Sequence, residues 1–352
     1  MKVGIINVTG YAGSELARIL HRHPEVQLSS VTGRSSAGKL LGDVFPHLTE
    51  LNLPIQPELD TSIDLAFSAL PHKASAEAVI PLVKSGVKVV DISADFRLKD
   101  ANQYQEWYQV SHPDPYYLEE AVYGLTELHR SEISKAQLVA NPGCYPTSAI
   151  LALAPVVKEG LIELDIIADS KSGVSGSGRG PNLITQFSEV NENLQAYSVG
   201  GHRHLPEITQ ELDRLICPNP RDGESDSRVK LTFLTHLVPM TRGILSSCYA
   251  PLKCSSFNSM DTVHTELQAL YQDFYADDPF VQITATPPQT KHTLGNNFCL
   301  IYPTVDVRTG RLIVISCLDN LVKGAAGQAV QNMNLMYGFN ERTALEALAL
   351  YP

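Results

Sequence analysis

The stretch Lys2-Val3-Gly4-Ile5-Ile6-Asn7-Val8-Thr9-Gly10-Tyr11-Ala12-Gly13 begins as an apolar, β-branched run and ends as a glycine turn. Residues 2–8 read as a strand. Leu16, Ile19 and Leu20 follow at helical spacing, so the turn lies between a strand and a helix start. A glycine turn in that position lets a pyrophosphate approach backbone N–H groups, which makes Thr9, Gly10, Tyr11, Ala12 and Gly13 candidate dinucleotide contacts. The first glycine of the usual pattern is Asn7 here, a residue type that tolerates left-handed backbone.

The strand–helix alternation continues outward from that turn. Residues 26–31 return as a second strand, and continuous apolar runs at 65–70 and 87–92 bracket a helix over 74–84 that stops before Gly86. A last run, 138–140, ends at Asn141-Pro142-Gly143. This is the pattern of a doubly wound parallel sheet. The second strand ends at Thr32-Gly33-Arg34-Ser35-Ser36, with no acidic residue for ribose hydroxyls; Arg34 and Ser35 suit a 2'-phosphate instead, so the expected cofactor is NADP.

Beyond residue 143 the pattern changes. Alternating stretches at 230–238, 245–253, 297–307 and 311–317 predict antiparallel strands, the last two joined by a turn at Thr309-Gly310. Residues 218–228, rich in Pro, Asp, Ser and Gly, read as a mobile surface loop. The final helix, about 321–336, carries small residues at Gly324, Ala325, Ala326, Gly327 and Ala329 that allow close packing. The expected fold is α/β: a Rossmann-like dinucleotide-binding domain (1–143 with 320–352) and an α+β substrate and oligomerisation domain (144–319) with a largely antiparallel sheet. A chain of 352 residues is long enough for two cores.

The net charge of -11 argues against nucleic acid or an anionic membrane as partner. No apolar run approaches the roughly 20 residues of a membrane helix, and the first ten residues have no long apolar signal core, so the cytoplasm is the expected compartment. Six cysteines without a C-x-x-C pair read as reduced thiols, most of them core.

One cysteine differs. Cys144 follows a strand end through Asn141-Pro142-Gly143 and precedes a helix-like run, 145–159, so its sulfur lies near a helix N-terminus, where a thiolate is favoured. A nucleophilic thiol needs a proton partner, and Gly201-His202-Arg203-His204-Leu205-Pro206-Glu207-Ile208 supplies two imidazoles. His204 is the first choice of base and His202 the second; Pro206 suits the first turn of a helix from which Glu207 orients an imidazole. The segment does not continue into a set of metal ligands. A third segment, Lys171-Ser172-Gly173-Val174-Ser175-Gly176-Ser177-Gly178-Arg179-Gly180, follows a strand at 166–170 and reads as too glycine-rich for regular structure, a loop able to wrap a ligand with N–H groups. An anionic substrate requires local cations, and the candidates are Arg97, Lys171, Arg179, Arg203 and Arg242.

Several of these segments together resemble one family. Gly10-Tyr11-Ala12-Gly13, Ala69-Leu70-Pro71-His72, Asp91-Ile92-Ser93-Ala94-Asp95-Phe96-Arg97, Asn141-Pro142-Gly143-Cys144-Tyr145-Pro146-Thr147, Lys171 to Gly176 and His202-Arg203-His204 occur in the order found in N-acetyl-gamma-glutamyl-phosphate reductases. Tyr123-Gly124-Leu125 with Glu127, and the run from Asp319-Asn320 to Ala329, extend the resemblance over essentially the whole chain. It implies NADPH-dependent reduction of an acyl phosphate, N-acetyl-glutamyl phosphate, to the semialdehyde, in a homodimer or homotetramer of the arginine pathway. It further implies Cys144 as nucleophile, a histidine of His202-Arg203-His204 as acid/base, and Ser172, Gly173, Val174, Ser175, Gly176 and Asn320 beside the cofactor. The aspartate-semialdehyde and aminoadipyl reductases use the same thioester logic, but Tyr145-Pro146-Thr147 and residues 201–208 disfavour them. An NADP-binding redox sensor using Cys144 is the non-enzymatic alternative.

Overall fold

The computed structural model describes residues 1–216, 228–253 and 262–352. All but Arg228 of the expected surface loop, together with Cys217 and Cys254, lies outside the described residues. The chain divides into two compact units. One comprises Met1–Gly143, Gly178–Gly180 and Leu321–Leu348; the other comprises Cys144–Ser177, Pro181–Asn320 and Ala349–Pro352.

The first unit is built on β1 (Lys2–Ile6), β2 (Gln27–Thr32), β3 (Ile55–Gln56), β4 (Leu65–Ser68), β5 (Lys88–Asp91), β6 (Val122–Tyr123) and β7 (Leu138–Ala140). They form a seven-stranded sheet in the order β3-β2-β1-β4-β5-β7-β6, every pair parallel. The order reverses at β1 and β4, so the switch point, where doubly wound sheets bind ligands, falls at their C-terminal ends. The helix Tyr11–Leu20 leaves β1 at that point.

The helix Gly327–Met336 closes this unit against the helices Tyr11–Leu20 and Thr126–Ile133. It is preceded by a wider, π-type turn, Val322–Ala326, where a regular helix was expected. Lys323 there is fully buried, with its Nζ 2.5 Å from Glu127 Oε1 and 2.9 Å from Gln331 Oε1. Burial works to raise the Glu127 pKa, but Lys323 overcomes it and holds the carboxyl below its ordinary value.

The second unit carries β8 (Asp165–Gly173), β9 (Gln195–Tyr197), β10 (Lys230–Val238), β11 (Ile244–Pro251), β12 (Val281–Ile283), β13 (Cys299–Asp306) and β14 (Arg311–Leu318), in the order β12-β13-β14-β11-β8-β10-β9. β8 with β10 and β12 with β13 are parallel; the other pairs are antiparallel. β13 turns into β14 at Gly310, whose φ of 64° is left-handed. The expected ligand loop is partly strand: β8 continues through Lys171, Ser172 and Gly173 because β10 and β11 pair with those residues from both sides. Gly173 is required there by crowding rather than by flexibility. A Cβ on it would lie 2.8 Å from Met240 O and 2.9 Å from Arg242 N.

One face of this sheet holds the helix Cys144–Lys158, in which every residue from Tyr145 to Val157 is buried. Interior Pro155 has no N–H to give the carbonyl of Leu151, four residues earlier. Tyr275 Oη fills that role, donating to Leu151 O at 2.6 Å, while Tyr271 Oη donates to Ala152 O at 2.6 Å. Polar contacts between helix and sheet run through four buried serines: Ser148 Oγ lies 2.9 Å from Ser246 Oγ and 2.6 Å from Ser316 Oγ, and Ser170 Oγ lies 2.7 Å from Ser246 Oγ. Because Tyr275 serves a carbonyl that nothing in the helix can reach, Tyr275→Phe should cost about 1–3 kcal/mol in urea unfolding. A change below about 0.5 kcal/mol would show that the carbonyl had found another donor.

Candidate active site

Asn7 adopts φ 64°, the left-handed conformation the turn needs. Its side chain also does what glycine could not: Nδ2 donates to Ala69 O at the end of β4 (2.8 Å), and Oδ1 accepts from Thr9 Oγ1 (3.3 Å). Gly13 lets the helix close on the strand end, since a Cβ on it would sit 2.6 Å from Asn7 O. Gly10 faces open space, with nothing nearer than 3.8 Å to an added Cβ, and the first helical turn carries no acid. Gly33 lies against Thr9, whose Cγ2 would be 2.8 Å from a Cβ, and the exposed turn Arg34–Ser36 follows it. Thr9, Gly10, Tyr11, Ala12, Gly13, Arg34 and Ser35 therefore border one region at the ends of β1 and β2. Open backbone N–H groups beside an unopposed arginine fit a dinucleotide phosphate.

Two of the expected substrate cations belong to this unit and are already engaged. Arg97 is buried, its Nε donating to Asn141 O (2.8 Å) and its Nη2 to Ile92 O (2.7 Å). Arg179 is exposed and donates from Nη1 to Thr9 O at 3.1 Å.

Cys144 is the first residue of the buried helix, with no acid in the first turn and Pro146 inside it. Among the described cysteines it is the one that is not buried. Burial pushes Cys248 and Cys317 up to about 12, which leaves them inert thiols. Around the start of this helix the second unit gathers a box of rings. His202 lies 5.6 Å from Tyr145, 5.6 Å from Tyr197, 5.5 Å from Phe233 and 4.7 Å from His204, centroid to centroid. Tyr197 Oη donates to Tyr145 Oη (3.0 Å), which donates to His236 O (3.3 Å). Tyr197 is pushed up to about 12, by burial first. Glu207 is buried in the first turn of the helix Leu205–Ile216, and Arg203 lies close enough to His202 to disfavour its protonation.

A second cluster joins Ser172, Gly173, Val174, Ser175 and Gly176 to the β10–β11 turn. Gly173, Val174 and Ser175 donate their N–H groups to Gly243 O, Met240 O and Thr241 O, while Asn320 accepts from Gly243 N–H (2.7 Å) and donates to Ser175 Oγ (2.9 Å). Arg242 points toward Asp319, with Nη1 3.6 Å from Oδ2. Lys171 is not part of either cluster. It sits on the opposite face of β8 from Ser172, with its Nζ 2.7 Å from Asp169 Oδ2.

Residues 2–136 match the model of the semialdehyde dehydrogenase NAD binding domain, and residues 144–320 that of the semialdehyde dehydrogenase dimerisation domain. Proteins named N-acetyl-gamma-glutamyl-phosphate reductase align along the full chain: 58% identical in Dehalococcoides mccartyi strain BAV1 and 50% in Pelotomaculum thermopropionicum, each over 100% of this chain and 99% of theirs. The chain belongs to the N-acetyl-gamma-glutamyl-phosphate reductase family. It is thus an oxidoreductase whose first unit is a dinucleotide-binding domain. Aspartate semialdehyde dehydrogenases share the fold: the Vibrio cholerae type II enzyme aligns with TM-score 0.67 at 17% identity, and the Candida albicans enzyme solved with NADP with TM-score 0.69 at 16%, each covering 96% of this chain and 98% of theirs. No described helix is long and apolar enough to cross a membrane.

Within this family frame, the ring box adds Tyr197 and Phe233, which sequence reading missed. Tyr197 stands on the edge strand β9, and only its pairing with β10 brings it to the histidines. His202 Nδ1 accepts the backbone N–H of His204 (3.1 Å), which places the His202 proton on Nε2. Burial first, then Arg203, lowers the His202 pKa to about 4. Its folded value lies below its unfolded value, so stability is full above pH ~6.5 and falls as pH drops toward 4, where only the unfolded ring is protonated. NMR titration should find this ring neutral until about pH 4, and His202→Gln should flatten the stability profile between those limits. A ring titrating near 6.5 would contradict the buried, neutral box.

Proposed function

We propose that this chain catalyses the NADPH-dependent reduction of N-acetyl-L-glutamyl 5-phosphate to N-acetyl-L-glutamate 5-semialdehyde and phosphate, as a cytoplasmic enzyme of arginine biosynthesis. The observation that carries the reading is the incompletely buried Cys144 at the start of a buried helix whose next residue, Tyr145, meets the rings of His202 and His204, in a chain 46–58% identical over its length to named reductases.

The helix start favours the Cys144 thiolate, which attacks the acyl carbon; the carbon–phosphate oxygen bond breaks, phosphate leaves, and a thioester remains. NADPH, when bound, supplies the hydride that reduces that thioester. Thiolate is then the leaving group as the aldehyde forms. N–H groups of the first helical turn stabilise the oxyanion.

The two histidines divide the work by tautomer. His202, with Nδ1 occupied and a proton on Nε2, is a neutral hydrogen-bond donor. His204 therefore carries the mobile proton, taking it from the thiol and returning it to the product side, with Glu207 setting its orientation. Arg203 and Arg242 bind the substrate's anionic groups. Arg97 and Lys171 act less directly, one bound to the carbonyls of residues 92 and 141 and the other to Asp169. Thr9, Gly10, Tyr11, Ala12, Gly13, Arg34 and Ser35 hold the NADP, and in the second unit Asn320 fixes the turn at Ser172–Gly176.

The second unit also supports assembly into a homo-oligomer. The sheet face opposite the cysteine helix presents Ile167, Leu234, Leu245, Tyr249, Tyr302, Ile313 and Ile315, none fully buried, in a unit matching a dimerisation domain. Ile315→Asp should convert the protein to monomer in sedimentation, and an unchanged mass would exclude this face.

The activity test is NADP reduction with N-acetyl-L-glutamate 5-semialdehyde and phosphate. Cys144→Ala should abolish it, and His204→Asn should lower kcat by about 10²–10⁴-fold. Equal rates with and without Cys144 would exclude the thioester route.

A further inference from the structure

Arg179 was expected at the substrate, yet the three residues Gly178–Gly180 pack with the dinucleotide-binding unit while the chain on both sides belongs to the other. Its guanidinium is held in two ways. Nη1 donates to the carbonyl of Thr9 at 3.1 Å, and the guanidinium carbon stands 4.6 Å over the ring of the buried Phe45. Both anchors come from the first unit.

We infer that Arg179 is a second guanidinium, beside Arg34, that binds the adenosine 2'-phosphate and so sets the preference for NADP over NAD. This rests on the reading that the first unit binds NADP. Among the described residues, Nη1 is the only nitrogen of Arg179 that makes a hydrogen bond, which leaves the Nε–Nη2 edge to form the two-donor fork that matches a phosphate. Among the described residues neither Arg179 nor Arg34 is in an ion pair, so both charges are available in a chain whose net charge is -11.

Location selects the 2'-phosphate over the pyrophosphate. Arg179 bonds to Thr9, and Thr9 is the residue that packs on Gly33, immediately before Arg34 at the end of β2. That is the ribose side of the turn. The pyrophosphate side, at Gly10 and the helix start, offers neutral N–H groups. Stacking on Phe45 fixes the plane of the guanidinium, which lowers the ordering cost of recruiting an exposed arginine.

The test is equilibrium binding to the full chain by calorimetry, without turnover, using NADPH, NADH, 2',5'-ADP and 5'-AMP. Arg179→Gln should raise the Kd for NADPH and for 2',5'-ADP by about 10- to 100-fold, the range of a charge-assisted pair, while NADH and 5'-AMP stay within about twofold. Arg34→Gln should act in the same selective way. Equal weakening of NADPH and NADH would overturn the inference, because Arg179 would then act on the pyrophosphate or merely hold the Thr9 turn. An unchanged NADPH affinity would also overturn it, leaving the NADP reading intact. A wild-type protein that binds NADH as tightly as NADPH would overturn the NADP reading itself, and this inference with it.

Discussion

The second unit depends on one constraint: a helix buried along nearly its whole length must still leave its first residue, Cys144, incompletely buried. Thirteen consecutive residues, Tyr145 to Val157, are buried, so the helix has no solvent face on which to leave an unsatisfied carbonyl. The requirement is met by hydroxyls supplied from outside the helix. Tyr275 and Tyr271 donate to Leu151 O and Ala152 O, and Ser316 donates to Ser148 O at 3.0 Å. Held at these points, the helix has little freedom to slide or turn. Cys144 inherits that rigidity, as does the direction of the helix dipole acting on its sulfur.

How much of this could be read in advance follows from the distance over which each signal acts. The glycine turn, the strand runs and the strand–loop–helix setting of Cys144 are local, and each is visible within about fifteen residues of sequence. The ring box is not local. Tyr145, Tyr197, His202 and Phe233 come from a helix, an edge strand, a loop and an inner strand, so their meeting depends on sheet order. The side of β8 that Lys171 takes depends on parity, because in a strand one residue decides the face. The glycine-rich segment was misread for a related reason. Its composition suggested a loop, but Gly173 is small so that the backbone of residues 240–242 can approach an ordinary strand.

In the first unit the departure from the glycine pattern turns out to carry structure. A glycine at position 7 would reach φ 64° easily, but it could not tie the turn to β4. Asn7 adopts the same conformation and uses Nδ2 to fasten the ends of β1 and β4 together at the point where the sheet reverses. Its conformational cost of about 1 kcal/mol is thus offset by a hydrogen bond that glycine lacks. The tolerance of asparagine for this region was legible. The partner, Ala69 O, lies 62 residues away and was not.

An acidic chain that handles anions must do so without a general positive field, and its two units solve this by different physics. Around the cofactor turn, charge is local and exposed: Arg34 and Arg179 stand without carboxylate partners among the described residues. Around Cys144 the environment is closer to neutral, with His202 kept uncharged by burial and two tyrosines whose ionisation burial suppresses. A second imidazolium there would favour the thiolate electrostatically, but it would also stabilise that thiolate as a resting anion and weaken it as a nucleophile. A neutral donor avoids that penalty. It assists where charge develops during the reaction and adds no fixed charge before it, which is what the proposed thioester route asks of a thiol that attacks an acyl carbon and later departs.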